Sequence, residues 1–500
     1  MRRTPSAAHL IGSLLFVATA ALGVGCTNGG ANGNNAVPAT PDASVFQWLT
    51  FGDEDGRVQT GNLEVPIDYT DPSKGTLDLF VARHLADPSA RIGSLLVNPG
   101  GPGFGGSDFA VYAKQIYGEA LLERFDIIGW DPRGTGLSEP AIDCIDDYDR
   151  YYASLDISPD DDAERQAIID TATRFAEACV TKNASIIQYV GTNNSARDMD
   201  AIRAALGEAT ISYFGFSYGS ELGATWATLF PDTVRAAVLD GSVDPTADLV
   251  ESGLQQSVGF ESSLTTFLAQ CSADPECTFH SEGNAEGAFD TLMQSLDDEP
   301  APTADGRPPL NLQMAVTAVS RAMYSDGLWP QLAQALDDAQ AGDGAGMLAL
   351  YDEYFDRLPD GTYANSLEAF QTIACMDEAT RLTVEQENDL VPQFQAASPR
   401  LSPQTTGSYF CTFFPAATEP QVPITGAGAG PIVVMGTTGD SATPLAGTRV
   451  MADTLEDGRL IVVTGNQHTG YSVNECSRAV IEAYLLDPVG KAPANDTECP

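Results

Sequence analysis

Ser217 sits in Gly215-Phe216-Ser217-Tyr218-Gly219, a G-x-S-x-G pentapeptide. In a chain with 47 glycines among 500 residues the pentapeptide alone says little. Its setting says more: ISYF before it reads as a strand and SELGATWA after it as a helix, the strand–turn–helix that lifts a serine hydroxyl out of a sheet. A serine hydroxyl needs a base to attack a carbonyl. Only four histidines are present. His9 lies in the expected N-terminal export signal, His84 in a strand-like stretch, and His280 near Cys277. His468 follows the strand RLIVVTG in the loop GNQHTGY, which makes it the expected base. The acid that holds a histidine tautomer should end a strand. PIVVMGTTGD places Asp440 there, with Thr443 available to brace its loop; Asp453 and Asp457 are rivals expected in a helix or at its end. Acyl transfer also needs donors for the oxyanion. The turn Asn98-Pro99-Gly100-Gly101-Pro102-Gly103 ends the strand SLLV, so the N–H groups of Gly101 and Tyr218 are the expected hole. No GK[ST] follows this turn and it is not expected to open directly into a helix, which argues against a phosphate cradle. A second Gly-rich turn, Trp130 to Ser138, reads as structural, with Arg133 tying loops together.

These side chains need a common scaffold. Short apolar runs ending in Gly-rich turns (SLLVNPGG, FDIIGWDPRGTG, ATISYFGFS, VRAAVLDGS, PIVVMGTTGD, GRLIVVTGNQH) read as buried strands, and GNLEVPIDY and TLDLFVARHL precede them as two more. Helical patterns alternate with them, including SARDMDAIRAALG, SELGATWATLF and a C-terminal helix from about 477 to 486. Alternation of this kind predicts an α/β fold with a mostly parallel central sheet and helices on both faces. The serine–acid–histidine order is that of the α/β-hydrolase fold. Residues 247–426 differ, being largely helical. They are expected to form a cap or lid inserted into one catalytic domain made of 46–246 and 427–500.

The N-terminus reads as an export signal over residues 1–25: Arg2 and Arg3, then an apolar run from about Leu10 to Leu22, too short to span a membrane. Gly23-Val24-Gly25-Cys26 resembles a bacterial lipobox, so Cys26 is a candidate lipidation site, with simple cleavage and release as the alternative. Residues 26–45 are rich in Gly, Asn, Ala and Pro and form a tether. Eight cysteines remain, and export permits disulfides. Pairing of neighbours gives 144–179, 271–277, 375–411 and 476–499. No CxxC knuckle is present, so no metal site is expected, and nothing calls for a cofactor. A formal net charge of −44 repels nucleic acid and anionic membranes, so membrane contact is expected only through Cys26.

Taken together, NPGGPG, DPRGTGLS, GFSYGS…LFPD…VLDGSVDP, GDSATP and GNQHTGY resemble the secreted tripeptidyl-aminopeptidase and prolyl-aminopeptidase branch of the α/β-hydrolases. The resemblance runs from about residue 58 to the end and is weakest in the cap. It implies an exopeptidase acting on peptides with a free N-terminus, with Ser217, Asp440 and His468 as its triad. It also implies cap carboxylates that bind the substrate ammonium. Asp377 and Glu378 in Cys375-Met376-Asp377-Glu378 are the candidates, because the 375–411 disulfide would hold them rigid. Without such carboxylates the same triad would serve a carboxylesterase or lipase. A binding module on a disabled hydrolase scaffold is the third reading.

Overall fold

A computed structural model describes residues 45–51 and 56–500. The expected export signal, Cys26 and nearly all of the tether lie outside the described residues.

The strands are β1 (Leu49–Thr50), β2 (Val58–Pro66), β3 (Thr76–His84), β4 (Gly93–Asn98), β5 (Phe125–Trp130), β6 (Ile211–Phe216), β7 (Val234–Asp240), β8 (Ile432–Thr437), β9 (Gly458–Val463) and β10 (Thr497–Cys499). They form one sheet in the order β1-β2-β3-β5-β4-β6-β7-β8-β9-β10. The pairs β1/β2, β2/β3 and β3/β5 are antiparallel, and every other pair is parallel. All eight expected strands are present. Every residue of β4, β5, β6 and β8 is buried, and the reason lies in the pleat. Leu96, Ile128, Tyr213, Leu239 and Val434 face one hydrophobic cluster. Their neighbours Leu95, Ile127, Phe214, Val238 and Val433 face another. With helices on both faces, side chains of either parity must be apolar, so alternation disappears from the sequence.

The strand order fixes where chemistry can occur. The chain leaves β4 toward β5 on one side and leaves β6 toward β7 on the other. The loops after these adjacent strands diverge and open a crevice at their carboxyl ends, the usual ligand site of such sheets. Asn98 of β4 pairs in register with Gly215 of β6, which sets the two Gly-rich turns side by side.

Strands β7 and β8 pair directly, Ala237 opposite Ile432, although about 190 residues separate them in the chain. The intervening segment carries seven helices of ten residues or more: Leu249–Ala273, Ala285–Asp298, Leu312–Met323, Trp329–Gln340, Ala345–Tyr354, Ser366–Asp377 and Val384–Ala397. It leaves the sheet and returns without interrupting it. The four neighbouring cysteine pairs are all bonded: Cys144–Cys179, Cys271–Cys277, Cys375–Cys411 and Cys476–Cys499. Among the described residues no helix is long and apolar enough to cross a membrane, and no group of three or more His, Cys, Asp or Glu is placed to hold a metal ion.

Candidate active site

Ser217 stands between β6 and the helix Tyr218–Leu229 with φ 57° and ψ −127°. A positive φ at a side-chain-bearing residue is strained, and strain of this kind collects at functional sites. Space dictates the two glycines that frame it. A Cβ on Gly215 would lie 2.2 Å from the Gly219 carbonyl oxygen, and one on Gly219 would lie 2.9 Å from Asn98 Oδ1. The first contact is within the turn and the second is with the neighbouring strand, so no other residue fits either place.

Asp440 follows β8 and is 5% exposed. Its Oδ1 accepts from the Ala442 and Thr443 N–H groups at 3.0 and 2.8 Å, and its Oδ2 from Thr443 Oγ1 at 3.0 Å. Thr443 thus braces the acid loop as expected. His468 Nδ1 lies 2.9 and 3.0 Å from the two carboxylate oxygens. Burial works against charging the imidazole, but the Asp440 charge and hydrogen bond outweigh it, helped by Asp240, and the His468 pKa is raised above its ordinary 6.5. Its other nitrogen, Nε2, is buried and has no hydrogen-bond partner among the described residues. An imidazole anchored at Nδ1 by a carboxylate and free at Nε2 is arranged to accept a proton there.

Asp240, at the end of β7, connects the two halves of this arrangement. Its carbonyl accepts from the Ser217 N–H at 2.8 Å. Its carboxylate accepts from the N–H groups of Gly470 and Tyr471 at 2.6 and 2.9 Å, two and three residues beyond His468. Burial raises its pKa to about 7, although both backbone hydrogen bonds oppose the rise. The next residue, Gly241, lies against the histidine: a Cβ there would be 3.1 Å from His468 Cε1.

The turn after β4 covers the serine. A Cβ on Gly100 would lie 2.8 Å from Ser217 Cβ and 3.3 Å from the Tyr218 nitrogen. The Gly100 N–H is already given to Asn98 Oδ1 at 2.9 Å. The next residue along the turn is Gly101, with φ 110°. Tyr218 is the first residue of its helix, where an N–H has no intrahelical acceptor. The turn after β4 and the start of this helix, which carry the expected donors Gly101 and Tyr218, thus lie side by side. The turn does run into a helix, Ser107–Val111, but only after Gly105 and Gly106. Asp131 fastens it there, accepting from the Ser107 N–H at 2.9 Å and the Leu137 N–H at 2.8 Å. Arg133, 0% exposed, gives its guanidinium to both Asp198 oxygens and to the carbonyls of Pro66, Ile67 and Tyr189. It is a structural tie, as its turn suggested.

The candidate amine-binding acids lie close by. Pro102, Tyr218, Glu221, Asp377 and Glu378 line one cavity of about 130 Å³. Asp377 accepts from the Thr192 N–H and Oγ1, each at 2.6 Å. Burial pushes its pKa up to about 8, against those hydrogen bonds and with a further rise from Glu221. Burial likewise raises Glu221 to about 7, with a hydrogen bond from Gln421 opposing. Glu378 accepts from the Leu249 N–H at 3.3 Å and from Thr380. Glu221 and Asp240 are the residues that sequence reasoning missed. Glu221 had a legible signal: it is the lone charged residue of its helix, one turn beyond Ser217.

A family model for the alpha/beta hydrolase fold matches residues 93–475, and the chain belongs to that family. Among its relatives is the serine protease Hip1 of Mycobacterium tuberculosis (strain ATCC 25618 / H37Rv), 34% identical over 461 residues, covering 89% of this chain and 88% of that protein. Carboxylesterase B of the same strain is 33% identical over 507 residues, covering 98% and 96%. The tripeptidyl aminopeptidase of Streptomyces lividans is 30% identical over 461 residues, covering 88% and 83%. The expected fold and family resemblance are both borne out, and the chain is a serine hydrolase.

Proposed function

We propose that the chain is an exported exopeptidase that removes short peptides or a residue from free N-termini, with Ser217, His468 and Asp440 as its triad. His468 Nε2 takes the Ser217 proton as Oγ attacks the scissile carbonyl. The N–H groups of Gly101 and Tyr218 hold the tetrahedral oxyanion. The imidazolium then gives its proton to the leaving amine, the acyl-enzyme forms, and water repeats the sequence. The helices between β7 and β8 act as the cap. The four disulfides suit an oxidising compartment.

One observation carries the peptidase reading: the cavity beside Tyr218 holds Glu221, Asp377 and Glu378. Two half-buried carboxylates with raised pKa values form a site that a substrate ammonium would satisfy. An ester substrate has no use for them. The rival carboxylesterase reading draws on the relative of that name.

Rates on a free tripeptide anilide and its N-acetylated form test the proposal. We expect a strong preference for the free amine, and loss of that preference in Glu221→Gln/Asp377→Asn through a rise in KM of roughly 10- to 100-fold, the scale of one charged contact. Equal rates on both anilides, or hydrolysis of esters alone, would reject it.

A further inference from the structure

Two of the inserted helices reach the catalytic loops, and the nearer contact to His468 is at the end of the helix Leu312–Met323, whose last turn closes on Tyr324. The Tyr324 carbonyl accepts from the His468 N–H at 2.9 Å. The Met323 carbonyl accepts from Ser441 Oγ at 2.9 Å, and Ser441 directly follows Asp440. Ser325 pairs with Gln467 in an isolated antiparallel bridge. The Tyr324 ring stands edge-on to the imidazole, with centroids 5.5 Å apart and planes at 79°. Behind it, Phe260 of the helix Leu249–Ala273 meets the Tyr324 ring at 5.4 Å. The same helix holds the acid loop: Gln256 Nε2 donates to the Ala442 carbonyl at 3.1 Å, and a Cβ on Gly259 would lie 2.3 Å from the Ser441 carbonyl oxygen.

The inserted segment thus grips the main chain of both loops that carry the acid and the base. The Asp440 hydrogen bond fixes one edge of the imidazole but leaves the ring free to tilt about it. The Tyr324 ring edge opposes that tilt. We infer that Tyr324 is a positioning residue for His468, and that the end of helix Leu312–Met323 is a fixed part of the catalytic apparatus, not a lid that lifts away from it. This rests on the assignment of Ser217, His468 and Asp440 above. The tyrosine acts through its ring and its carbonyl, and its hydroxyl plays no part.

A mis-aimed imidazole loses proton transfer without losing substrate, so the signature is a fall in kcat at constant KM. The full chain is assayed with a neutral ester reporter, and active sites are counted by labelling to completion with a fluorophosphonate. Tyr324→Phe should stay within about twofold of the parent, while Tyr324→Ala should lose roughly 10- to 100-fold in kcat per labelled site with KM little changed, as small misplacements do. Tyr324→Leu, which fills the space without a ring edge, should follow Ala and serves if Ala does not fold. Parental kcat per site in Ala and Leu, or a loss seen only as fewer labelled sites, would overturn the inference. Ser217→Ala is run alongside: activity surviving there would refute the triad itself and leave the Tyr324 result to be judged separately.

Discussion

His468 carries a charge state that can be read from outside. In the proposed mechanism its neutral form is the base, and its pKa is raised above 6.5 by Asp440 despite burial. Activity on a neutral ester should therefore rise with pH through that raised value and be lost below it. Asp440→Asn removes the raising charge, so the acid limb should move to lower pH while turnover falls about 10⁴-fold. A pH–rate profile of parent and variant checks this; an unmoved limb would assign it to another group. Free peptides add a second dependence. Burial pushes Glu221 up to about 7 and Asp377 up to about 8, so the proposed ammonium capture should improve as pH rises through that range, until the substrate amine itself loses its proton. The candidate triad was legible because each member lies in a Gly-containing turn or loop that follows a strand, Ser217 after β6, Asp440 after β8 and His468 after β9. Asp240 was not legible, because its partners are backbone N–H groups of residues 470 and 471, and sequence does not say which loop a buried carboxylate will meet.

At the scale of elements, what could be read follows burial. Central strands stood out because both faces are covered. The two-residue β1 and three-residue β10 are too short to leave a pattern. The helix Asp162–Lys182 is amphipathic only weakly, with three buried residues in 21, and gave no clear signal. The helix Ser366–Asp377 carries the proposed amine-binding acid Asp377 at its end. It presses on the turn after β4, where a Cβ on Gly103 would lie 2.2 Å from the Ser366 carbonyl oxygen, and it ends at Asp377. The Cys375–Cys411 disulfide pins that end across 36 residues. Chain-entropy reasoning puts its loss at roughly 3–4 kcal/mol. Cys375→Ser/Cys411→Ser should unfold at correspondingly lower denaturant, and should lose preference for free over acetylated peptides while keeping ester turnover. An unchanged unfolding midpoint would show that the bond constrains nothing.

The whole molecule carries 69 acidic against 25 basic residues. Such a field draws cationic substrates over distances near the Debye length, about 10 Å at 0.1 M salt and 3 Å at 1 M. Raising salt should lower kcat/KM for lysine-containing peptides several-fold while leaving a neutral ester almost unaffected. Parallel losses on both would point to a general effect of salt on the enzyme.

The double attachment of Asp240 has a mechanical consequence. Its carbonyl carries the turn that bears the attacking hydroxyl, and its carboxylate carries the loop that bears the imidazole. The proton transfer proposed from Ser217 to His468 would thus run between two segments fastened to one residue, much as two instruments bolted to one plate share its alignment.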